Sequence, residues 1–245
     1  KISPAKPLDI ETLLKVGLLK KNINYIKILA KGEFKSKLKF IGFNFSKNAK
    51  ILDYGCGTGS SLKKVIEFEP KKIVGIDISD VSIEKARSNI GSHKDNLELI
   101  VDNCEKTKFG KNEFDLVYGT GILHHLQIDQ CLNEISRVLK PGGRLLFIEP
   151  LGTNPFINFY RYLTPGSRSK DEHPLLEKDF NNIKRKFSKM EIKYYGFFTL
   201  VFFPFYKNPK NSKFFQILKG LDQYFFKFRI FRKLAWSVLI IAEKT

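Results

Sequence analysis

Three glycines at alternate positions follow directly on a short apolar stretch. Ile51-Leu52 runs into Asp53-Tyr54-Gly55-Cys56-Gly57-Thr58-Gly59, and a helical pattern begins at Ser60. No other feature restricts the fold as much. Glycines so spaced permit a tight strand-to-helix turn and let the backbone approach a ligand closely. Amides at the start of the following helix face negative charge or a carboxylate. The flanking chain agrees: residues 60–68 and 81–89 are predicted helical, the second opened by Asp80 as a cap. Residues 73–76, 97–101, 114–118 and 144–148 are predicted strands. A helix at 128–139 is closed by Lys140-Pro141-Gly142-Gly143. Short apolar strands separated by helices predict a doubly wound α/β fold, its parallel sheet covered on both faces. Ligands in such folds bind outside the carboxyl ends of the strands.

The ends of those strands carry acids. Asp77 ends the second strand, where it can accept from both hydroxyls of a ribose, and Asp102 ends the third, within reach of an adenine amine. The glycine pattern alone fits a nicotinamide dinucleotide as well as S-adenosylmethionine. Charge separates the two. The dinucleotide fingerprint places its third glycine one position later, where this chain has Ser60, and Asp53 would repel a pyrophosphate. Three carboxylates suit a cationic sulfonium with its amino group. Cys56 and Cys104 read as small apolar fillers that meet the cofactor through their backbone, and Gly59 also reads as a helix-packing position.

Residues 49–149 also resemble the class I S-adenosylmethionine-dependent methyltransferases, in the small-molecule branch of ubiquinone/menaquinone and sterol methyltransferases. The resemblance rests on Asp53-Tyr54-Gly55-Cys56-Gly57-Thr58-Gly59, Asp77-Ile78-Ser79 and Asp102-Asn103-Cys104. It continues through Phe114-Asp115-Leu116-Val117-Tyr118, with Gly119 behind it, Leu123-His124-His125-Leu126 and Leu139-Lys140-Pro141-Gly142-Gly143. It implies a Rossmann-like seven-stranded sheet with an antiparallel last strand, for which residues 237–242 are the candidate. It further implies S-adenosylmethionine as cofactor and S-adenosylhomocysteine as product. The organisation expected is a helical cap at 1–48, the cofactor core at 49–149, an acceptor-side insertion and helix at 150–189, and the final strand pair at 190–245. That last part carries a strand candidate at 192–201 followed by an aromatic-basic helical insertion.

Methyl transfer needs an acceptor held in line and, for some acceptors, a base. His124, His125, Glu149 and His173 are the candidates, each with a structural alternative as a cap or packing group. Tyr160, Arg161 and Arg168 are candidate substrate anchors. No metal site is expected: Cys56, Cys104 and Cys131 lack metal-ligand spacing and are too few for a disulfide framework. The acceptor expected is small or lipid-like, with oxygen favoured over nitrogen or carbon. The rivals are an RNA methyltransferase and a non-catalytic interaction protein that keeps the cofactor fold.

The net charge of +18 sits at the two ends: residues 1–48 hold eleven basic against three acidic side chains, and residues 180–245 fourteen against three. Such a field favours an anionic partner, although a lysine-rich composition alone would also produce it. Sixteen aromatic residues lie within 194–236. A helix predicted at 212–231 carries Phe214, Leu218, Leu221, Phe225 and Phe228 on one side with lysines and arginines around it. That is the pattern of an interfacial helix, and equally of one covering the sheet. A cytoplasmic protein is expected, with peripheral contact to an anionic membrane. Nucleic acid is disfavoured because these aromatics cluster with aliphatics, and the oligomeric state is open.

Overall fold

The computed structural model describes residues 48–91, 95–163, 172–202 and 212–245. The expected amino-terminal cap, but for its last residue, and Arg168 lie outside them. The strands are β1 (Lys50–Tyr54), β2 (Lys72–Asp77), β3 (Leu97–Val101), β4 (Phe114–Thr120), β5 (Leu139–Pro150), β6 (Ser188–Tyr195) and β7 (Ser237–Glu243). They form one sheet in the order β3-β2-β1-β4-β5-β7-β6. Parallel pairing joins β3 to β2, β2 to β1, β1 to β4 and β4 to β5; β7 pairs antiparallel with both β5 and β6. The expected seven strands and antiparallel final strand are therefore present. Burial follows sheet position: β1, β2, β4 and β7 are almost continuously buried, whereas β3 and β6, at the two edges, are not.

The helices are α1 (Leu62–Ile66), α2 (Asp80–Ile90), α3 (Ile128–Val138), α4 (Pro155–Leu163), α5 (Glu177–Lys186), α6 (Phe198–Val201), α7 (Lys213–Phe225) and α8 (Arg229–Arg232). Because strand side chains alternate, the sheet has two apolar faces. Leu52, Tyr54, Val74 and Phe147 pack with Leu132 and Ile135 of α3 and with Phe180 and Ile183 of α5. Ile51, Ile73, Leu116 and Leu146 pack with Leu62 and Val65 of α1 and with Ile83 of α2. The sheet is thereby wound on both sides, as the alternation predicts.

Four local expectations change. Ser79 caps α2 in place of Asp80, its Oγ accepting from the Ser82 amide at 3.2 Å. Pro141-Gly142-Gly143 ends α3 but does not separate it from the fifth strand: β5 begins at Leu139 and carries the turn as an irregularity, pairing Leu139 with Phe114 and Arg144 with Leu116. The strand expected at 192–201 is instead β6, which ends at Tyr195. Gly196 then turns the chain at φ 81° into the short helix α6. Asp222 of α7 holds that helix start, accepting from the Phe198 amide at 2.6 Å and the Thr199 hydroxyl at 2.6 Å. The helix expected over 212–231 is likewise two, α7 and α8.

Candidate active site

Strand order reverses between β1 and β4, and the glycine turn leaves the carboxyl end of β1 at that reversal. Gly55, Gly57 and Gly59 have φ values of 73°, 52° and 78°, the left-handed region that disfavours a side chain. They serve different ends. A Cβ on Gly55 would lie 2.5 Å from Ile122 Cγ1, and one on Gly59 2.8 Å from Ile90 Cδ1 of α2; on Gly57 it would meet nothing within 4 Å. Packing thus requires Gly55 and Gly59, while the Cβ side of Gly57 borders open space. The Gly57 amide donates to Asp77 Oδ2 at 2.9 Å and the Ser79 amide to Oδ1 at 3.0 Å, so one carboxylate braces the turn and the entry to α2. Each Asp77 oxygen retains acceptor capacity beyond its one amide. Ile78, between these contacts, is 74% exposed, an apolar surface beside a carboxylate.

Asp53 is 1% exposed and accepts a 2.7 Å hydrogen bond from the buried Tyr118 hydroxyl. Burial pushes its carboxyl up to about 7; the Tyr118 bond opposes this and the nearby Asp77 charge adds to it. A cation placed there would reverse that cost. Burial also drives the Cys56 and Cys104 thiols far above their ordinary range, so neither offers a thiolate. Asp102 adjoins Asp77, its amide donating to the Asp77 carbonyl at 3.1 Å. Its carboxylate accepts from the amides of Asn103 at 2.9 Å and Lys108 at 3.1 Å, and Asn103 Oδ1 from the Glu105 amide at 2.8 Å. These two side chains brace their own loop. Gly119 is a close-packing position: a Cβ would sit 2.6 Å from Phe147 Cε1 and 2.8 Å from the Tyr54 carbonyl.

The proton-transfer candidates gather at the ends of β4 and β5. Glu149 Oε1 accepts from the amides of Ile122 and Leu123, both at 3.0 Å, and Oε2 lies 2.7 Å from His124 Nδ1. Three contacts to one buried carboxylate fix the short 3-10 turn Leu123–His125 against β5. The rings of His124 and His125 are 4.0 Å apart. His125 is the more exposed, and burial, aided by the adjacent His124 ring, lowers its pKa. The exposed His173 joins this corner through its amide, which donates to the His124 carbonyl at 2.8 Å. Arg161 does not present its Nη1 to a ligand: that atom donates to the Leu151 carbonyl and to Asn158 Oδ1, both at 2.9 Å. Tyr160 lies on α4.

Residues not singled out from sequence complete the site. The Ile122 side chain covers both Gly55 and Gly119, and Ser61 Oγ meets Thr120 Oγ1 at 3.0 Å across the reversal. Their positions, just past a strand end or at a helix start, were the available signal. Among the described residues no group of three or more His, Cys, Asp and Glu could hold a metal ion.

A model described as "Methyltransferase domain" matches residues 45–196, 152 of the 245. A second, of ribosomal proteins from the 50S and 60S subunits, matches residues 1–52, mostly outside the described part. Demethylmenaquinone methyltransferase of Symbiobacterium thermophilum is 35% identical over 124 residues, 49% of this chain and 49% of that protein. The ubiquinone/menaquinone biosynthesis C-methyltransferase UbiE of Hahella chejuensis is 36% identical over 45% of this chain and 47% of its own length. Sterol 24-C-methyltransferase erg6 of Aspergillus fumigatus is 35% identical over 44% of this chain and 30% of its own. The chain thus spans half or less of the curated relatives it matches. Among solved structures, an S-adenosylmethionine-dependent methyltransferase from Archaeoglobus fulgidus superposes with TM-score 0.60 at 16% identity, over 87% of this chain and 94% of that one. The N-methyltransferase NodS from Bradyrhizobium japonicum, in complex with S-adenosylhomocysteine, gives 0.57 at 13%, over 86% of each. At these identities the structural likeness establishes the fold.

Proposed function

This chain belongs to the methyltransferase-domain family, and from that premise we propose that it transfers the methyl group of S-adenosylmethionine to a small, lipid-like acceptor. The observation that carries the reading is the acidic pair at the glycine turn: Asp53, buried and held by Tyr118, beside Asp77, whose two oxygens face backbone amides and still have room to accept. The residues present fit this cofactor. Gly57 borders open space and would admit its amino-acid end against the turn. Asp53 supplies the counter-charge, Asp77 the ribose acceptor, and Ile78 with the exposed Val101, paired in register to Asp77, an apolar seat for adenine. Bound there, the cofactor supplies an electrophilic methyl group on a cationic sulfur.

The acceptor atom expected from the sequence was oxygen. That preference is withdrawn in favour of carbon, because two of the relatives above are named C-methyltransferases and none of the three is named for oxygen. The acceptor class we propose is a quinone- or sterol-like molecule. Methylation at carbon leaves a proton to be removed from that carbon, and the His124–His125–Glu149 corner can take it. With Nδ1–H donated to Glu149, His124 has its lone pair on Nε2. His125, its pKa lowered, is neutral at pH 7 and more open to solvent. His173, whose amide meets the His124 carbonyl, is a further candidate. The test is methyl transfer from radiolabelled S-adenosylmethionine into lipid, water-soluble and RNA fractions of a cell extract. Label in an extractable apolar product, carbon-bound by NMR, is expected. Label confined to RNA, or no transfer and no S-adenosylhomocysteine binding by calorimetry, would overturn the reading.

A further inference from the structure

Helix α7 is apolar on two sides. Phe215 and Leu218 are buried against the fold, yet Phe214, Ile217, Leu221, Tyr224 and, just beyond the helix, Phe228 are exposed. They recur at steps of three and four, so they form one outward stripe. On α8, Ile230 is 73% exposed. Helix α4 repeats the pattern with exposed Phe156, Phe159 and Tyr162, the last at 80%. The two regions are joined: Thr153 Oγ1 donates to the Lys233 carbonyl at 3.0 Å and Asn154 Nδ2 to the Leu234 carbonyl at 2.5 Å. Apolar exposure on this scale marks a docking surface.

Charge identifies the occupant. Between α5, β6 and the α7–α8 turn lies a groove of about 940 Å³ floored by Ile192 and Phe226. Six cations line it, Lys184, Lys193, Lys227, Arg229, Arg232 and Lys233, against one acid, Glu177. Arg229 pairs with Glu177 at 2.8 Å, and Arg232 donates to the carbonyls of Phe226 and Lys227. Lys184, Lys227 and Lys233 have no carboxylate partner among the described residues. Lys227 also lies 5.8 Å from the Tyr224 ring, so the groove and the stripe share an edge. A second copy docked two-fold on the stripe would bring these cations against their own images. A surface of anionic lipid meets the aromatic and the cationic parts together.

We propose that the face made by α4, α7 and α8 docks on an anionic bilayer, its aromatic side chains entering the interface and the groove amines meeting lipid phosphates. The docking rests on this surface alone. Its use, delivery of a lipid-like acceptor to the corner at Glu149 four residues before Thr153, rests on the proposed function. No helix among the described residues is long and apolar enough to cross a membrane.

The test is sedimentation of the full chain with phosphatidylcholine vesicles containing about 30 mol % phosphatidylglycerol, against phosphatidylcholine alone. Partitioning at least tenfold stronger to the anionic vesicles is expected. A double variant, Ile217→Asp with Tyr224→Asp, and another, Lys227→Glu with Lys233→Glu, should each lose most of that binding. Both should keep wild-type circular dichroism and S-adenosylhomocysteine affinity. Equal recovery with and without vesicles overturns the docking, as does wild-type partitioning by both variants. A dimer dissolved by Ile217→Asp, with no vesicle binding, would assign the stripe to self-association. Complete displacement by millimolar inorganic phosphate, with the stripe variant unaffected, would make the groove a soluble-anion site. In each of these failures, retained methyl transfer leaves the proposed function standing.

Discussion

Asp53 makes the cofactor reading quantitative. Its carboxyl is raised to about 7 by burial, with Asp77 adding to the shift and Tyr118 opposing it. In the ligand-free protein the folded value therefore lies above the unfolded one, 3.8. The unfolded chain gives up this proton first as pH rises, so stability is lost between about pH 4 and 7, by about 4 kcal/mol. A bound cation reverses the preference by favouring the ionised form. If only ionised Asp53 supports S-adenosylmethionine, affinity should fall roughly 25-fold from pH 7.5 to 5.5, about 2 kcal/mol. Close to one proton should be released on binding near pH 6. Calorimetry in two buffers of different ionisation enthalpy reads both quantities. Asp53→Asn can still accept from Tyr118, so it should fold. It should be more stable than wild type at pH 8 and alike at pH 4, and should bind weakly with no pH slope. A flat wild-type profile, or an unchanged slope in the Asn variant (which would point to the histidines), refutes the argument.

The other perturbations separate chemistry from architecture. Glu149→Gln turns an amide NH2 toward His124 Nδ1 and forces the other tautomer; methyl transfer should fall roughly 10- to 100-fold and urea unfolding should show a loss of about 1–2 kcal/mol. Gly119→Ala drives a methyl group into the Tyr54 carbonyl and the Phe147 ring, and should cost about 1–3 kcal/mol by chemical denaturation. Gly57→Ala meets no atom, so its stability cost should stay near the backbone term of about 1–2 kcal/mol, while S-adenosylhomocysteine affinity drops at least tenfold by calorimetry. Asp222→Ala removes the acceptor at the start of α6 and should cost about 1–3 kcal/mol, with hydrogen exchange accelerated first at the Phe198 and Thr199 amides.

Where a residue's partner is close in sequence, or where strand ends alone bring groups together, the sequence was enough. The sheet could be read because β1, β2 and β4 are short apolar runs closed by polar or glycine residues, which fixes both their number and the edge that binds ligand. The sequence placed Asp53, Asp77 and His124 at the ligand edge for the same reason: each lies at or just past the carboxyl end of a strand. Gly55 and Gly59 were legible as glycines but not as packing positions, because Ile122 and Ile90 approach from distant segments. Distance in sequence explains the remaining departures. Pro141-Gly142-Gly143 has every mark of a stop, yet the strand runs through it because the Gly142 amide finds the Lys244 carbonyl and the Lys244 amide the Gly143 carbonyl, beyond β7. Residues 198–201 have strand-like composition but form α6 because Asp222, some twenty residues later, satisfies their amides. Arg161 was read as a substrate anchor, whereas its Nη1 meets the Leu151 carbonyl, ten residues earlier. A lone polar side chain in a sequence announces a need for a partner, not which partner, and only the topology decides whether backbone or ligand meets it. Asp77 shows how both can be true of one group: its amide contacts hold the turn in shape, and that shape leaves its remaining acceptor positions for a ligand.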